Sequence, residues 1–261
     1  MRALFFLLLI GSIGSGLLSF GQPTPPRKQL LSDPVQGKAI VEEVLSQRPE
    51  SSELYGVLRI RDGEGRRFEI PMRYSVVTGD ETWRGVYETK SSGNIPAERL
   101  VIIHYADRPN EYFYSRAEKP GETPPDPESL PNEKIWAPLA GTDFWIGDLG
   151  LEFLRWPEQV LVDKEMRKGR SCRVIESINP KLEAGGYARV RSWIDLETGG
   201  LVLAEGYDSQ NKLLKEFAVR TVKKVNGRYQ PKEFEIRNDQ TDSRTRLEFN
   251  LELEARQSEK P

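Results

Sequence analysis

The sequence predicts a mainly β protein: a curved antiparallel sheet that forms an incomplete barrel, with short α-helices covering its concave apolar face. Over most of the chain, apolar and polar residues alternate with a period of two, which is typical of strands with one dry and one wet face. Short turns join these strands, which favours an antiparallel meander. The two candidate helices are too short to cover a wide flat sheet, so the sheet should curl around them.

The first 21 residues predict an export signal. Arg2 is their only charged residue, and an apolar run from Leu4 to Ile10 follows it. Small residues at Ser19 and Gly21 suit cleavage after Gly21. The alternative is an uncleaved membrane anchor, which the glycines and serines of positions 11–19 disfavour. We therefore expect the protein to work outside the cytoplasm.

The composition excludes several classes of protein. Lys and Arg number 38 against 40 Asp and Glu, so there is no basic field for nucleic acid. Cys172 is the only cysteine, which excludes an internal disulfide and an acylated cysteine at the signal junction. One His and one Cys make a transition-metal site improbable. A cleaved protein would therefore be soluble.

The folded region begins with one helix. Residues 22–33 are Pro-rich and polar, which is typical of a tether. Asp33 then provides an N-cap and Pro34 the first helical position. Apolar residues recur at helical spacing up to Leu45. The pattern predicts an amphipathic helix over 34–47 whose apolar face covers part of the sheet.

Alternation and turn residues predict about ten strands. The alternating segments from which this count is drawn number twelve and cover approximately 54–60, 68–76, 83–87, 100–105, 111–115, 159–165, 171–178, 187–196, 201–208, 213–219, 234–236 and 247–251. Asn226-Gly227 is the strongest hairpin signal among the turns. We expect residues 34–253 to form a single domain, followed by a polar tail over 254–261.

Two segments interrupt the strands. Residues 118–134 contain five prolines and many charges, which predicts a flexible surface insertion. A short helix is expected over 148–156, with Thr142, Asp143 and Asp148 as capping candidates and Pro157 as its end. Trp136 and Trp145 flank this helical segment, where a gate over the sheet would lie.

No residue pattern indicates catalysis. His104 is in phase with the apolar Leu100 and Ile102, so a hydrogen-bonded strand histidine is the favoured interpretation. Cys172 lies beside Val174 and suits a small buried hydrophobe. The chain has no phosphate loop or dinucleotide glycine pattern, and nothing selects a pair of carboxylates. We expect neither enzymatic activity nor a cofactor. The space beneath the curled sheet is either a filled core, which geometry favours, or a cavity for an apolar ligand.

Two motifs resemble the outer-membrane lipoprotein-sorting proteins, which are LolA/LolB-like relatives of the periplasmic lipoprotein carrier. The first is GTDFWIGDL, with Gly141, Asp143, Phe144, Asp148 and Leu149; the second starts at WIDLETGG, with Trp193, Asp195, Thr198, Gly199, Asp208 and Lys212. The resemblance covers most of residues 34–253. It implies a non-catalytic half-barrel whose cavity receives acyl chains of lipoproteins or other lipids, and so favours a cavity over a filled core. The insertion and the chain length depart from the compact carrier.

The resemblance thus predicts a periplasmic carrier or chaperone that binds acyl chains for transfer to the outer membrane. Its partners would be transport proteins of the inner and outer membranes. The alternative is a non-catalytic structural or sensory envelope domain that binds a protein partner through a similar half-barrel, and an exported hydrolase is a distant third. The expected cavity wall consists of Leu58, Ile60, Phe68, Ile70, Met72, Tyr74, Trp83 and Tyr87, shared with Phe144, Trp145 and the helix over 34–47.

Overall fold

The structure is a computed structural model that describes residues 32–181, 186–225 and 228–251. The export signal, most of the tether, the Asn226-Gly227 turn and the polar tail lie outside the described residues. Within those ranges no helix is long and apolar enough to span a membrane.

The described chain is mainly β, as predicted, and its strands form one antiparallel sheet that is not closed into a barrel. The strands are β1 (Ser52–Arg61), β2 (Arg67–Thr78), β3 (Thr82–Thr89), β4 (Glu98–Tyr105), β5 (Glu111–Arg116), β6 (Glu128–Ser129), β7 (Glu158–Arg167), β8 (Arg170–Ile178), β9 (Arg189–Asp195), β10 (Leu201–Tyr207), β11 (Leu213–Val225), β12 (Arg228–Asn238) and β13 (Ser243–Phe249). Each of the twelve alternating segments overlaps one of these thirteen strands, and the strand without a predicted segment is β6, which with two residues is too short to show alternation.

The strand order explains how the two halves of the chain join. The sheet runs β6-β5-β4-β3-β2-β1-β13-β12-β11-β10-β9-β8-β7. Neighbouring strands in the sheet are therefore also consecutive in the sequence, with one exception. Strand β1 pairs with β13, and Leu58 lies opposite Leu247. The fold consists of two meanders, β1–β6 and β7–β13, that share one seam.

The same order forces one connection to cross the sheet. β6 and β7 lie at opposite edges, so the chain between them must traverse a face. We call residues 135–156 the plug segment, and the sheet face on which it packs the concave face. The plug segment contains a 3-10 turn at Leu139–Gly141, the one-turn helix α2 at Ile146–Leu149, and a second 3-10 turn at Glu152–Arg155. The predicted helix over 148–156 is wrong in extent, because Leu151 adopts a left-handed conformation with φ of 48° that separates two short turns.

The N-terminal helix forms where the sequence predicts it. Helix α1 spans Pro34–Ser46, and Oδ1 of Asp33 accepts a hydrogen bond from the backbone N–H of Gln36 at 2.8 Å. The helix packs closely on β7, since a Cβ atom at Gly37 would lie 2.7 Å from the backbone nitrogen of Leu161. Helix α1 thus covers the β7 edge of the sheet, and its buried residues do not belong to the apolar cluster of the β1–β3 wall with which we expected it to share a cavity.

The insertion over 118–134 is mostly exposed and ends at the sheet edge. Its strand β6 pairs with β5, where Ser129 lies opposite Phe113. The backbone N–H of Leu130 then donates to the carbonyl of Tyr112 at 2.8 Å. The flexibility of this insertion stays a prediction.

Candidate ligand-binding face

The concave face is filled by the plug segment. Two apolar clusters lie on it. One joins Ile135, Leu139, Phe144 and Ile146 of the plug to β1–β5 and β12–β13. The other joins Phe153, Leu154 and Trp156 to α1 and β7–β10. A cavity of about 20 Å³ remains next to Asp148 and Lys215, enough for about one water molecule. In this conformation the plug's side chains occupy the space that an apolar ligand would take.

The structure brings together seven of the ten residues expected to line a cavity. Leu58, Ile60, Ile70, Met72 and Phe144 are buried in the first cluster, and Tyr74 and Tyr87 pack against it. The other three lie elsewhere: Phe68 is 40% exposed near the start of β2, Trp83 stacks on His104 with ring centroids 3.6 Å apart, and Trp145 packs in the second cluster.

His104 is a strand histidine without the geometry of a base. Burial lowers its pKa to about 3, and the nearby Arg155 guanidinium acts in the same direction. The imidazole is therefore neutral at physiological pH. Among the described residues, no group of three or more His, Cys, Asp and Glu side chains could hold a metal ion.

Three polar contacts, which we call tethers, fasten the plug segment to the sheet. The first involves Glu98 of β4, which is buried. Its Oε2 accepts a hydrogen bond from the backbone N–H of Ala140 at 2.6 Å, and Oε1 lies 3.7 Å from Nε of Arg116. Burial raises the pKa of Glu98, while the Ala140 hydrogen bond opposes that change. This contact holds Ala140 in a left-handed conformation, with φ of 47°.

The second tether joins Asp143 to β13. The hydroxyl of Thr245 donates a hydrogen bond to Oδ2 of Asp143 at 2.8 Å. Oγ1 of Thr245 in turn accepts a hydrogen bond from the backbone N–H of Asp143 at 2.9 Å. The hydroxyl of Ser243 donates to Oδ1 of Asp143. Both oxygens of this buried carboxylate therefore accept hydrogen bonds from the same strand, β13.

The third tether is an ionic contact between Asp148 of the plug and Lys215 of β11. Oδ2 of Asp148 lies 3.8 Å from Nζ of Lys215, and Oδ1 accepts a hydrogen bond from the hydroxyl of Tyr187 at 2.9 Å. Oδ2 also accepts from the backbone N–H of Trp145 at 2.9 Å, which caps α2. Burial raises the pKa of Asp148, and the Lys215 ammonium opposes the shift.

Lys215 is held entirely by groups of the plug segment. Its Nζ donates to the carbonyl of Asp143 at 2.6 Å and lies 3.3 Å from the ring centroid of Trp145. Burial lowers the pKa of Lys215 to about 8, and the Asp148 carboxylate opposes this effect.

The end of the plug segment is fixed by shape and by hydrogen bonds from β5 and the loop before it. The amide of Asn110 donates to the carbonyl of Gly150 at 2.9 Å, and the hydroxyl of Tyr112 donates to Oε2 of Glu152 at 2.8 Å. A Cβ atom at Gly150 would lie 2.9 Å from Cζ of Tyr112 and closer still to its hydroxyl oxygen, so only glycine fits there.

The two sequence motifs have different structural roles. The first contains Asp143 and Asp148 and so carries two of the tethers. The second builds turns: Oγ1 of Thr198 donates to Oδ2 of Asp195 at 2.7 Å, and Oδ1 of Asp208 accepts from backbone N–H groups of the following turn.

The residues that hold the plug segment were not among the predicted site residues: Glu98, Tyr187, Lys215 and Thr245. A signal was present for two of them. Glu98 is in phase with the buried Leu100 and Ile102, and Lys215 is in phase with Phe217. A charged residue on the buried face of a strand requires a polar partner that is also buried. Such a position in the sequence therefore predicts a contact with another segment of the chain.

Comparison with known proteins confirms the resemblance at the level of the fold. A DUF1329 family protein from Desulfovibrio piger superposes with a TM-score of 0.66 at 16% identity, covering 84% of this chain and 92% of that chain. A domain from Vibrio parahaemolyticus described as an outer membrane lipoprotein-sorting protein gives a TM-score of 0.65 at 16% identity, covering 82% and 90%. A LolA superfamily protein from Nitrosomonas europaea gives 0.53 at 14% identity, covering 82% and 91%.

Sequence comparisons add less. A family model described only as an uncharacterized protein matches residues 129–258, which include the plug segment and β7–β13. No curated protein matches the sequence.

Proposed function

We propose that this chain, whose fold is that of the outer-membrane lipoprotein-sorting proteins, is a non-catalytic periplasmic carrier. It would bind acyl chains of lipoproteins or other lipids on the concave face and release them for transfer to the outer membrane. The observation that best supports the proposal is the plug segment: a single crossing connection occupies an apolar face and is fastened to it by a few polar tethers.

Apolar burial supplies the binding free energy. Each buried methylene of an acyl chain contributes about 0.8 kcal/mol. The ligand would displace plug side chains such as Phe144 and Ile146, which are themselves buried in the closed conformation. The ligand's apolar contacts with the sheet replace those of the plug side chains, so the free-energy difference between the bound and the closed state is small. A small difference makes binding reversible, which a carrier requires in order to release its ligand.

A cross-link between the plug and the sheet tests the proposal. Asp143 and Thr245 contact each other directly, so the double variant Asp143→Cys with Thr245→Cys places two thiols at the second tether. The experiment measures binding of a fluorescent fatty-acid probe to the oxidised and the reduced protein, with disulfide formation verified by mass spectrometry.

The oxidised variant should lose probe binding, and reduction should restore it. The two single substitutions, Asp143→Cys and Thr245→Cys, serve as controls, because they remove the tether without creating a cross-link and should bind under both conditions; the native Cys172 is buried in all three variants. Equal binding by the oxidised and reduced double variant would contradict a ligand site beneath the plug segment.

A further inference from the structure

Lys215 is a charged residue of β11 that is almost completely buried. Among the residues whose burial the structure describes, it is the one buried cationic side chain, and it projects from β11 into the concave face. The small cavity beside it is also lined by Ala204, Gly206, Phe217 and Ile236, which are apolar.

The partners that satisfy this ammonium all belong to the plug segment. They are the carbonyl of Asp143, the carboxylate of Asp148 and the ring of Trp145. None of the three comes from the sheet that carries Lys215. Any movement that uncovers the concave face therefore takes the partners away and leaves the ammonium on an apolar wall.

A buried ammonium without a partner is strongly unfavourable. The position that Asp148 vacates must then be filled by water or by a group of the ligand. An anion is favoured there, because a charge-assisted hydrogen bond to the ammonium replaces the one that is lost. A neutral ligand of the same length offers no such replacement.

We infer that Lys215 binds the anionic group of an amphiphilic ligand, a carboxylate or a phosphate attached to an acyl chain, in the place that Asp148 occupies in the closed conformation. The inference rests on the proposed function, because the acyl chain would lie on the concave face. It adds the ligand class: anionic lipids are preferred over neutral lipids with equal chains. Asp148 thus acts as an internal competitor for the ligand's anion.

Matched probes test this inference. Binding is measured for a fluorescent fatty acid, its methyl ester and an alkyl phosphate of equal chain length, with the full chain and with its Lys215→Met variant. The parent should bind the two anionic probes about tenfold or more tightly than the ester. Lys215→Met should abolish the preference, so that the two anionic probes bind no more tightly than the ester; the ratio of acid to ester affinity is the readout, because the variant also removes the third tether. The tighter of the two anionic probes shows whether the site prefers a carboxylate or a phosphate.

A second variant guards against a folding defect. Asp148→Asn keeps the shape of the side chain but removes the competing charge, so it should strengthen binding of the fatty acid more than that of the ester. Thermal unfolding of both variants shows whether they fold. Equal binding of acid and ester by the parent, or equal losses for both in Lys215→Met, would overturn the anion site while leaving the carrier function intact. Failure of all three probes to bind the parent would instead contradict the proposed function.

Discussion

The backbone N–H of Ala140 donates a 2.6 Å hydrogen bond to the buried carboxylate of Glu98, across 42 residues of sequence. Ala140 has a left-handed backbone, which is unfavourable for a residue with a Cβ atom. This hydrogen bond gives the buried carboxylate of Glu98 a donor and the buried N–H of Ala140 an acceptor. It therefore stabilises the plug segment in this position, despite the unfavourable backbone conformation of Ala140.

Removing the Glu98 acceptor should destabilise the fold. Glu98→Ala leaves the buried N–H of Ala140 without a partner, which costs about 1–3 kcal/mol. Denaturant unfolding at pH 7 measures the loss. Glu81→Ala, at an exposed position, is the matched control and should change stability little. Equal stability of the two variants would show that this tether does not hold the plug segment.

Glu98→Gln should reveal a pH dependence with a definite sign. Burial raises the folded-state pKa of Glu98 above its ordinary value of 4.5. The group's contribution to stability is therefore fully present below pH 4.5 and is lost as the pH rises through the folded-state pKa. The stability of the parent relative to Glu98→Gln should fall with rising pH in that window. Unfolding curves collected from pH 4 to pH 8 measure it, and a difference that is flat or increases with pH would contradict the assignment.

Gly150→Ala should destabilise the protein through a steric clash. The added methyl group overlaps the side chain of Tyr112, which is buried and cannot move aside. We expect a loss of about 1–3 kcal/mol in the free energy of unfolding. Gly79→Ala is the control, since its Cβ would meet only one backbone oxygen at 3.3 Å. Adding Tyr112→Phe to Gly150→Ala should recover part of the loss, because the closest atom is the hydroxyl oxygen.

Trp145 should report ligand binding. Its ring lies 4.8 Å from that of Tyr187 and beneath the Lys215 ammonium, and both contacts end when the plug segment moves. Addition of a non-fluorescent fatty acid should therefore change the tryptophan emission of the parent. Trp136 and Trp156 of the plug segment contribute to the same change. Trp145→Phe should therefore reduce the change, whereas Trp193→Phe, in the separate cluster with Cys172, should retain it in full. An unchanged response in Trp145→Phe together with a lost response in Trp193→Phe would place the ligand away from the plug segment.

The export signal remains a sequence prediction, because residues 1–21 lie outside the described structure. We expect cleavage after Gly21, from the small residues at that junction. N-terminal sequencing of the exported protein measures it directly. Recovery of a membrane-bound protein that starts at Met1 would contradict the soluble carrier.

Local patterns predicted the local features well. Asp33 and Pro34 located the start of α1, and alternation located most strands, because capping and pleating depend on residues that are near in sequence. Cys172 is buried, as its strand position predicts.

Long-range features could not be predicted in the same way. Alternation assigns a face to each residue but not a neighbour to each strand, so the β1–β13 seam and the path of the plug segment were not apparent. The contact between Asp143 and Thr245 joins positions 102 residues apart, and no local pattern relates them. Alternation assigns Phe68 to the same face of β2 as the buried Ile70 and Met72. The residue is nevertheless exposed, because it lies near the start of the strand, where no other element of the described chain packs on that face.

The β1–β13 seam has a consequence for biosynthesis. Hairpins between neighbouring strands need only short loops to close, so β1–β6 can assemble as soon as it is made. Strand β1 pairs with β2 on one side, but its other partner, β13, begins only at Ser243. Until synthesis of the chain is nearly finished, β1 is a ten-residue open edge that can pair with strands of other chains. The nascent protein therefore has most need of a chaperone just before its last strand emerges.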